Sequence, residues 1–381
     1  MPGQPDAAEL SRDEIERYSR QLTMPEIGPE GQRKLKGSSV LVVGAGGLGV
    51  PASIYLAAAG VGKVGIVDDD IIAKSNLHRQ VIYTEADVGR GKADVAAQKL
   101  REVNPHVNPV PHAVRLDSGN ALEMVSSYDV ILDCTDNFPA RYLINDACVL
   151  SGKPDVYASV FRFDGQASVF YASRGPCYRC LFPEPPPPET VQDCSVAGVL
   201  GVLPGIMGSI QAAQATSLLL GKGNPLVGRL VLFDAMGMTF NELRFKKNKA
   251  CPVCGPDPSI RALVDYDAFC GLRREPSPTE ITPVELKRLV DEGKRIQLLD
   301  VREPFENSFG ELEGSKHIPL GELEKRFREL DVNDPVVAYC LVGTRSAVAV
   351  DFLASRGYKA RNLRGGVRAW ADAVDPDFPV F

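Results

Sequence analysis

Residues 40–49 read Val-Leu-Val-Val-Gly-Ala-Gly-Gly-Leu-Gly. An apolar run, Val40–Val43, enters glycines at 44, 46, 47 and 49, and the alanine-rich stretch Pro51–Ala59 that follows reads as a helix. Gly44, Gly46 and Gly49 have the G-x-G-x-x-G spacing between strand and helix. Glycines there permit a tight turn and close backbone approach, and the helix N-terminus then faces a phosphate. The next apolar run, Val64–Val67, ends at Asp68-Asp69-Asp70, which puts Asp68 where a carboxylate can hold ribose hydroxyls. Further on, Lys92–Val103 has helical spacing and Val130–Leu132 reads as a short buried strand. Short apolar runs alternating with helices predict an α/β fold, Rossmann-like, with a mostly parallel sheet covered on both faces.

More strands are expected at Ala167–Tyr171 and Leu230–Phe233, and an irregular loop at the prolines Pro183–Pro188. Past Cys254 comes a proline-rich, charged stretch with weak periodicity. A second βα series then starts, with a helix over Pro283–Val290, a strand over Ile296–Leu299, a strand over Val336–Tyr339 ending at Cys340, and a helix over Ser346–Ala354. The expected organisation is a first domain over 1–255, a linker over 256–280 and a small α/β domain over 281–381.

The composition agrees. The chain has 381 residues, 44% hydrophobic and 24% charged, enough for two or three cores and unlike a disordered or coiled-coil protein. A net charge of −6 lacks the footprint of a nucleic-acid binder. Nine cysteines, an odd number in a long chain, suit a reducing, cytoplasmic setting better than a disulfide scaffold. The acidic N-terminal stretch lacks the apolar core of a signal peptide. No charge occurs from Cys194 to Gly221, but prolines, glycines and glutamines interrupt that stretch, so it reads as a buried loop and core helix and not as a membrane span.

The glycine loop alone also fits a nicotinamide-dependent oxidoreductase. What shifts the balance is the segment Ser75-Asn76-Leu77-His78-Arg79-Gln80 after the aspartates, then Lys92, then Asp136 in LDCTDN. Carboxylates, Arg and Lys beside a phosphate loop suit Mg²⁺ and a polyphosphate, which a hydride-transfer enzyme does not need. Together with Arg17-Tyr18-Ser19-Arg20-Gln21 and paired CxxC motifs, these elements resemble, over residues 11–255, the ubiquitin-activating-like adenylyltransferases of the MoeB/ThiF family. The resemblance implies ATP and Mg²⁺ as cofactors. Gly44, Gly46, Gly47 and Gly49 would cradle phosphates, and Asp68 would hold the ribose. Asp70 and Ser75, Asn76, Leu77, His78, Arg79 and Gln80 would line the nucleotide with Lys92, with Asn76, Arg79, Gln80 and Lys92 on its phosphates. Asp136 would ligate Mg²⁺ beside Asn137. It also implies a homodimer through this domain, in which Arg17 reaches the partner's ATP.

The pairs Cys177/Cys180 and Cys251/Cys254 can supply four thiolates to one tetrahedral Zn²⁺, and a closed Cys₄ site is structural. A redox CxxC is the rival, and the resemblance, whose matching pairs bind zinc, favours the metal. Cys340 lies in Cys-Leu-Val-Gly-Thr-Arg-Ser at a strand end before a helix, where backbone N–H groups and Arg345 favour a thiolate or persulfide. With Asp300-Val301-Arg302-Glu303-Pro304 and Gly365-Gly366-Val367, this segment resembles a rhodanese sulfurtransferase domain over residues 281–381. It departs from that pattern near Glu311-Leu312, where the family often has a His-Ile pair.

The whole chain is similar to the fused adenylyltransferase–sulfurtransferases. That likeness implies adenylylation of the C-terminal glycine of a ubiquitin-like sulfur carrier ending in Gly-Gly, then sulfur transfer from a Cys340 persulfide to give a thiocarboxylate. Asp136, Arg79, Cys340, Arg345 and Cys194 would be the catalytic residues, with Cys194, on a loop, as a second sulfur-handling thiol. The upstream donor would be a cysteine desulfurase or thiosulfate, with no nucleic acid or membrane involved. Cys134, Cys148 and Cys270 read as ordinary cysteines.

Overall fold

In the computed structural model, which describes residues 9–186, 198–271 and 277–380, the run at 40–43 forms the middle of a wide sheet. Strand β1 (Ser39–Val43) is flanked by β2 (Lys63–Val67) and β4 (Val130–Asp133), both parallel to it. β3 (Asn108–His112) extends the parallel series beyond β2, and β5 (Asp155–Phe161) extends it beyond β4. β6 (Asp164–Phe170), β7 (Arg229–Asp234) and β8 (Thr239–Arg244) continue antiparallel, giving the order β3-β2-β1-β4-β5-β6-β7-β8.

β1 and β4 are buried almost throughout because helices cover both faces. The helix after β1 spans Gly49–Ala58 and so begins at the last glycine, two residues before the expected start. Helix Lys92–Val103 has the expected limits. The uncharged stretch contains the helix Leu203–Leu220, which packs against helix Gly49–Ala58 and across β4, β5 and β6. No helix among the described residues is long and apolar enough to cross a membrane.

A second sheet, all parallel, has the order β11-β10-β12-β13-β9. Its strands are β9 (Glu280–Ile281), β10 (Gln297–Asp300), β11 (Ser315–His317), β12 (Val336–Tyr339) and β13 (Ala360–Leu363). Helix Pro283–Asp291 starts on Thr282, whose side chain accepts the Glu285 N–H, and helix Thr344–Ala354 follows β12.

The two compact units divide between residues 272 and 273, later than the sequence pattern places the end of the first domain. The reason is local. Tyr266, in the short helix Tyr266–Phe269, is buried and donates its hydroxyl to Asp146 at 2.8 Å, so residues just past the second cysteine pair pack on the first unit. At the other end of the expected linker, Glu280 already pairs in the second sheet.

One buried feature is unfavourable. Asp155 on β5 is 1% exposed and neither carboxylate oxygen has a hydrogen-bond partner. Burial, and then the nearby Asp133, push its carboxyl well above the usual range. An acid whose folded-state pKa is raised keeps a proton that the unfolded chain has lost, so stability falls as pH climbs above about 4. Asp155→Asn is therefore expected to melt higher than the native protein at pH 8 and to converge with it toward pH 4.5. The difference should grow by up to about 1.4 kcal/mol per pH unit. Parallel pH-dependent unfolding curves would contradict this.

Candidate functional site

The strand order reverses between β1 and β4, and in an open α/β sheet the crevice at such a point receives the ligand. Two loops meet there. Gly44 follows β1 with φ +98°, and a Cβ on it would lie 2.8 Å from the Cys134 carbonyl oxygen beyond β4. At Gly49 a Cβ would lie 1.8 Å from the Gly44 carbonyl oxygen, so glycine is needed for the turn to close. The far side of the loop is walled by Gln80 beside Gly46, and by Pro204 and the Arg79 side chain beside Gly47.

The predicted carboxylate holds this loop. Asp68 accepts the Ala45 N–H at 2.7 Å and the Asp70 N–H at 2.9 Å. Burial raises its pKa, opposed by Lys92 and by those two N–H groups. Lys92, 7% exposed, donates to Asp70 at 2.8 Å. Tyr83 donates its hydroxyl to the carbonyls of Ala45 and Lys92, tying the glycine loop to the helix that carries the lysine.

The segment 74–80 is compact. Asn76 accepts the Ala73 N–H, and Arg79 donates to the Ser75 carbonyl and contacts the His78 ring. Burial, then the Arg79 charge, lowers the His78 pKa. Ser75 and Leu77 belong to the same turn. Gln80 is buried and its Oε1 has no partner. Across the crevice, Asp136 is exposed, and Asn137 caps helix Phe138–Ser151 by accepting the Ala140 N–H.

The structure thus brings together the four glycines, Asp68, Arg79 and Gln80, and adjoins the Asp70–Lys92 pair. Arg17 stands apart, donating to the Val103 carbonyl of its own chain. Cys194 lies outside the described residues.

Two residues at this site were missed in the sequence reading. Gln211, fully buried, donates to the carbonyls of Asp133 and Val156 at 2.7 and 2.8 Å and accepts the Cys134 thiol. It locks the end of β4, and its signal was a glutamine, with Gln214, in an uncharged helix. Arg141 is buried behind the Asp136 loop, where its Nη2 reaches the Thr135 carbonyl at 3.4 Å.

The cysteine pairs converge. The sulfurs of Cys177, Cys180, Cys251 and Cys254 lie within 4.8 Å of one another. Contacts of 3.5 Å (177–251), 3.8 Å (177–180) and 3.4 Å (180–254) are too long for a disulfide and close to the ~3.8 Å edge of a tetrahedron with ~2.3 Å metal–sulfur bonds. The donor set therefore fits a tetrahedral soft cation. The first pair is anchored from inside: Arg179, 1% exposed, makes two 2.8 Å hydrogen bonds to Asp146, which also accepts from Tyr266 and Asn145.

In the second unit, the order again reverses between β10 and β12. Cys340 follows β12 and is fully buried. Its sulfur accepts the Gly343 N–H at 3.1 Å and the Ser346 hydroxyl at 3.4 Å. The Gly365-Gly366 motif explains itself here. A Cβ on Gly366 would lie 2.3 Å from the Cys340 carbonyl, and the close approach lets Val367 and Arg368 donate to the carbonyls of Cys340 and Leu341. Arg345 is held by Glu306 through both terminal nitrogens. Around the Glu311-Leu312 departure the loop is well tied, with Glu311 accepting from Asn307 and the Leu312 N–H reaching the Tyr339 hydroxyl.

Two crevices, one glycine-lined and one holding a thiol cup, define the class. The ThiF family matches residues 18–253 and the rhodanese-like domain residues 282–373. The chain belongs to the ThiF family, here joined to a rhodanese-like domain. It is 43% identical over 408 residues to the mouse adenylyltransferase and sulfurtransferase MOCS3, covering 98% of this chain and 89% of that protein. It is 55% identical over 268 residues to a sulfur carrier protein adenylyltransferase of Thermus thermophilus, covering 69% of this chain and 99% of that protein. The fold of Escherichia coli MccB, solved with ATP, superposes with a TM-score of 0.55 at 22% identity, over 63% of this chain and 74% of that one.

Gln211→Met should cost about 1–3 kcal/mol, because two buried carbonyls lose their donor. Chemical denaturation of the full chain should detect this in the transition of the first unit. An unchanged midpoint would mean that Gln211 does not hold β4.

Proposed function

We propose that this protein adenylylates the C-terminal glycine of a ubiquitin-like sulfur carrier and then delivers sulfur from Cys340 to the activated carboxyl. The observation that carries the reading is the coincidence of two sites in one chain: a glycine-lined crevice with Asp68, Arg79, Lys92 and Asp136 at one strand reversal, and a hydrogen-bonded thiol at the other. A nicotinamide-dependent dehydrogenase would use the first and leave the second without a purpose.

In the first half-reaction the carrier's carboxylate attacks the α-phosphorus of ATP and pyrophosphate leaves. The chain's part is positioning and charge neutralisation. The glycine loop bends around the phosphates, Asp68 keeps lone pairs for the ribose while its N–H bonds hold the loop, and Arg79 and Lys92 face the departing charge. Asp136, exposed where Asp68 and Asp70 are already engaged, would hold Mg²⁺, which when bound neutralises polyphosphate charge. Arg17 would act across a homodimer. The four cysteines would hold Zn²⁺ as a structural staple with no open position.

In the second half-reaction, the terminal sulfur of a Cys340 persulfide attacks the acyl-adenylate carbonyl and AMP leaves. Attack of a second thiol on the Cys340 sulfur then frees the carrier thiocarboxylate and leaves a disulfide for a thiol reductant to open. Cys194 is the candidate for that thiol. A cysteine desulfurase or thiosulfate would load Cys340, and the reaction would belong to the cytoplasm.

The test is ATP–pyrophosphate exchange with purified carrier, and mass spectrometry of the carrier after ATP and a sulfur donor. Asp136→Asn should lower exchange on the order of 100-fold. Cys340→Ala should leave exchange intact and abolish thiocarboxylate. Exchange absent with every carrier, or a thiocarboxylate that survives Cys340→Ala, would refute the reading. Metal analysis should find one zinc per chain, lost on Cys177→Ser.

A further inference from the structure

The loop Cys340–Ser346 contains one charged residue, Arg345. Its guanidinium is already committed to a carboxylate. Both terminal nitrogens bond the Glu306 carboxylate, one of them at 2.7 Å, and Nε is buried with no hydrogen-bond partner. Glu306 is itself fixed. It is 4% exposed, its carboxylate also accepts the Glu303 N–H at 2.9 Å, and its carbonyl oxygen is approached by Nη1 of Arg302 at 3.4 Å. Arg302 is locked in turn on Asp300 and on the Gly310 carbonyl. Burial pushes the Glu306 carboxyl up, but the hydrogen bonds from Arg345 and Glu303 outweigh it and hold the group below its usual range, as an anion.

Two consequences follow from this geometry. Of the five guanidinium N–H donors, Glu306 takes one on each terminal nitrogen, and the Nε–H is buried. The clamp also cancels the loop's only charge, leaving Gly343 N–H and the Ser346 hydroxyl as neutral donors to the sulfur. A site with a free arginine would attract a dianion more strongly than a monoanion, because Coulomb attraction scales with ligand charge. Here that advantage is removed.

We propose that Glu306 is a positioning residue that sets donor specificity: by neutralising Arg345 it makes the Cys340 site favour a monoanionic thiol persulfide over dianionic thiosulfate. The inference rests on the proposed sulfur-carrying role of Cys340. Both loading reactions balance. The Cys340 thiolate attacks the outer sulfur of R–S–S⁻, forming Cys340–S–S⁻ and expelling the thiolate R–S⁻. With thiosulfate the same attack expels sulfite. Only the charge carried into the loop differs between the two.

The experiment measures steady-state sulfur transfer to cyanide by the full chain, with thiosulfate and with cysteine persulfide, whose carboxylate and ammonium cancel to leave the single persulfide charge, as alternative donors. Glu306→Gln leaves one oxygen to accept from Arg345 but unmasks its charge. KM for thiosulfate should fall roughly fivefold to tenfold, and KM for the persulfide by less than half that factor. The double variant Glu306→Gln/Arg345→Gln restores a neutral loop, so its thiosulfate KM should return to the native value while kcat falls for both donors. Glu306→Asp, with the charge kept and the reach shortened, should lower kcat with little change in the KM ratio. Equal KM changes for the two donors, no change, or a double variant that retains the lowered KM would overturn the proposal. If Glu306→Gln fails to fold, Arg345→Gln decides the matter: it leaves the Glu306 charge unmatched, so KM for thiosulfate should rise more than KM for the persulfide, and equal rises would overturn the proposal. A native chain inactive with both donors would instead refute the role of Cys340 on which the inference rests.

Discussion

The first unit depends on an absence of atoms. Gly49 sits so close to the Gly44 carbonyl that no side chain can enter, and Gly44 is also crowded by the Cys134 carbonyl. These contacts let helix Gly49–Ala58 start at the crevice and bring the loops after β1 and β4 within reach of one ligand. Asp68 braces the loop by accepting the Ala45 N–H, and Tyr83 braces it from the other side. Gln211 fixes the opposing strand end. Each brace satisfies a backbone group that would otherwise be buried without a partner.

The second unit reaches a similar solution at smaller scale. Its parallel sheet also reverses order beside Cys340, and a glycine pair again permits a helix to pack closely, here through Gly366. The difference is electrostatic. The first crevice gathers cations and carboxylates, whereas the thiol cup uses neutral donors, with its one arginine committed to Glu306. A polyphosphate needs charge neutralised as it leaves. A persulfide is a soft anion that backbone N–H groups can hold.

Much of this was legible in the sequence. The runs at 40–43, 64–67, 130–132 and 336–339 became strands within a residue or so of their expected limits, because buried parallel strands are apolar on both faces. The two CxxC pairs were visible from spacing, which left a redox role open, and the structure brings their four sulfurs together. What escaped had physical reasons. β3 contains two prolines, tolerated because it lies at the sheet edge. β8 is exposed along its length and carries no burial pattern. β9 and β11 are too short to show a period. Gln211 and Glu306 act through partners distant in sequence, which one chain read linearly cannot pair. The compact unit runs on past the ThiF match, which ends at residue 253, because Tyr266 docks on Asp146, a contact 120 residues away.

Helix Phe138–Ser151 has a position that its sequence does not advertise. It begins beside Asp136 and Asn137, at the nucleotide-facing crevice, and carries Asp146 in its later half, where Arg179 bolts the first cysteine pair to it. One rigid rod therefore shares its footing between the metal-ligand cluster and the crevice. Its alignment is held at the cysteine end by a buried ion pair whose loss would leave a charge stranded in the core. The cysteine cluster and the glycine-lined crevice stand at two ends of the same helix, so a change in its tilt would move both.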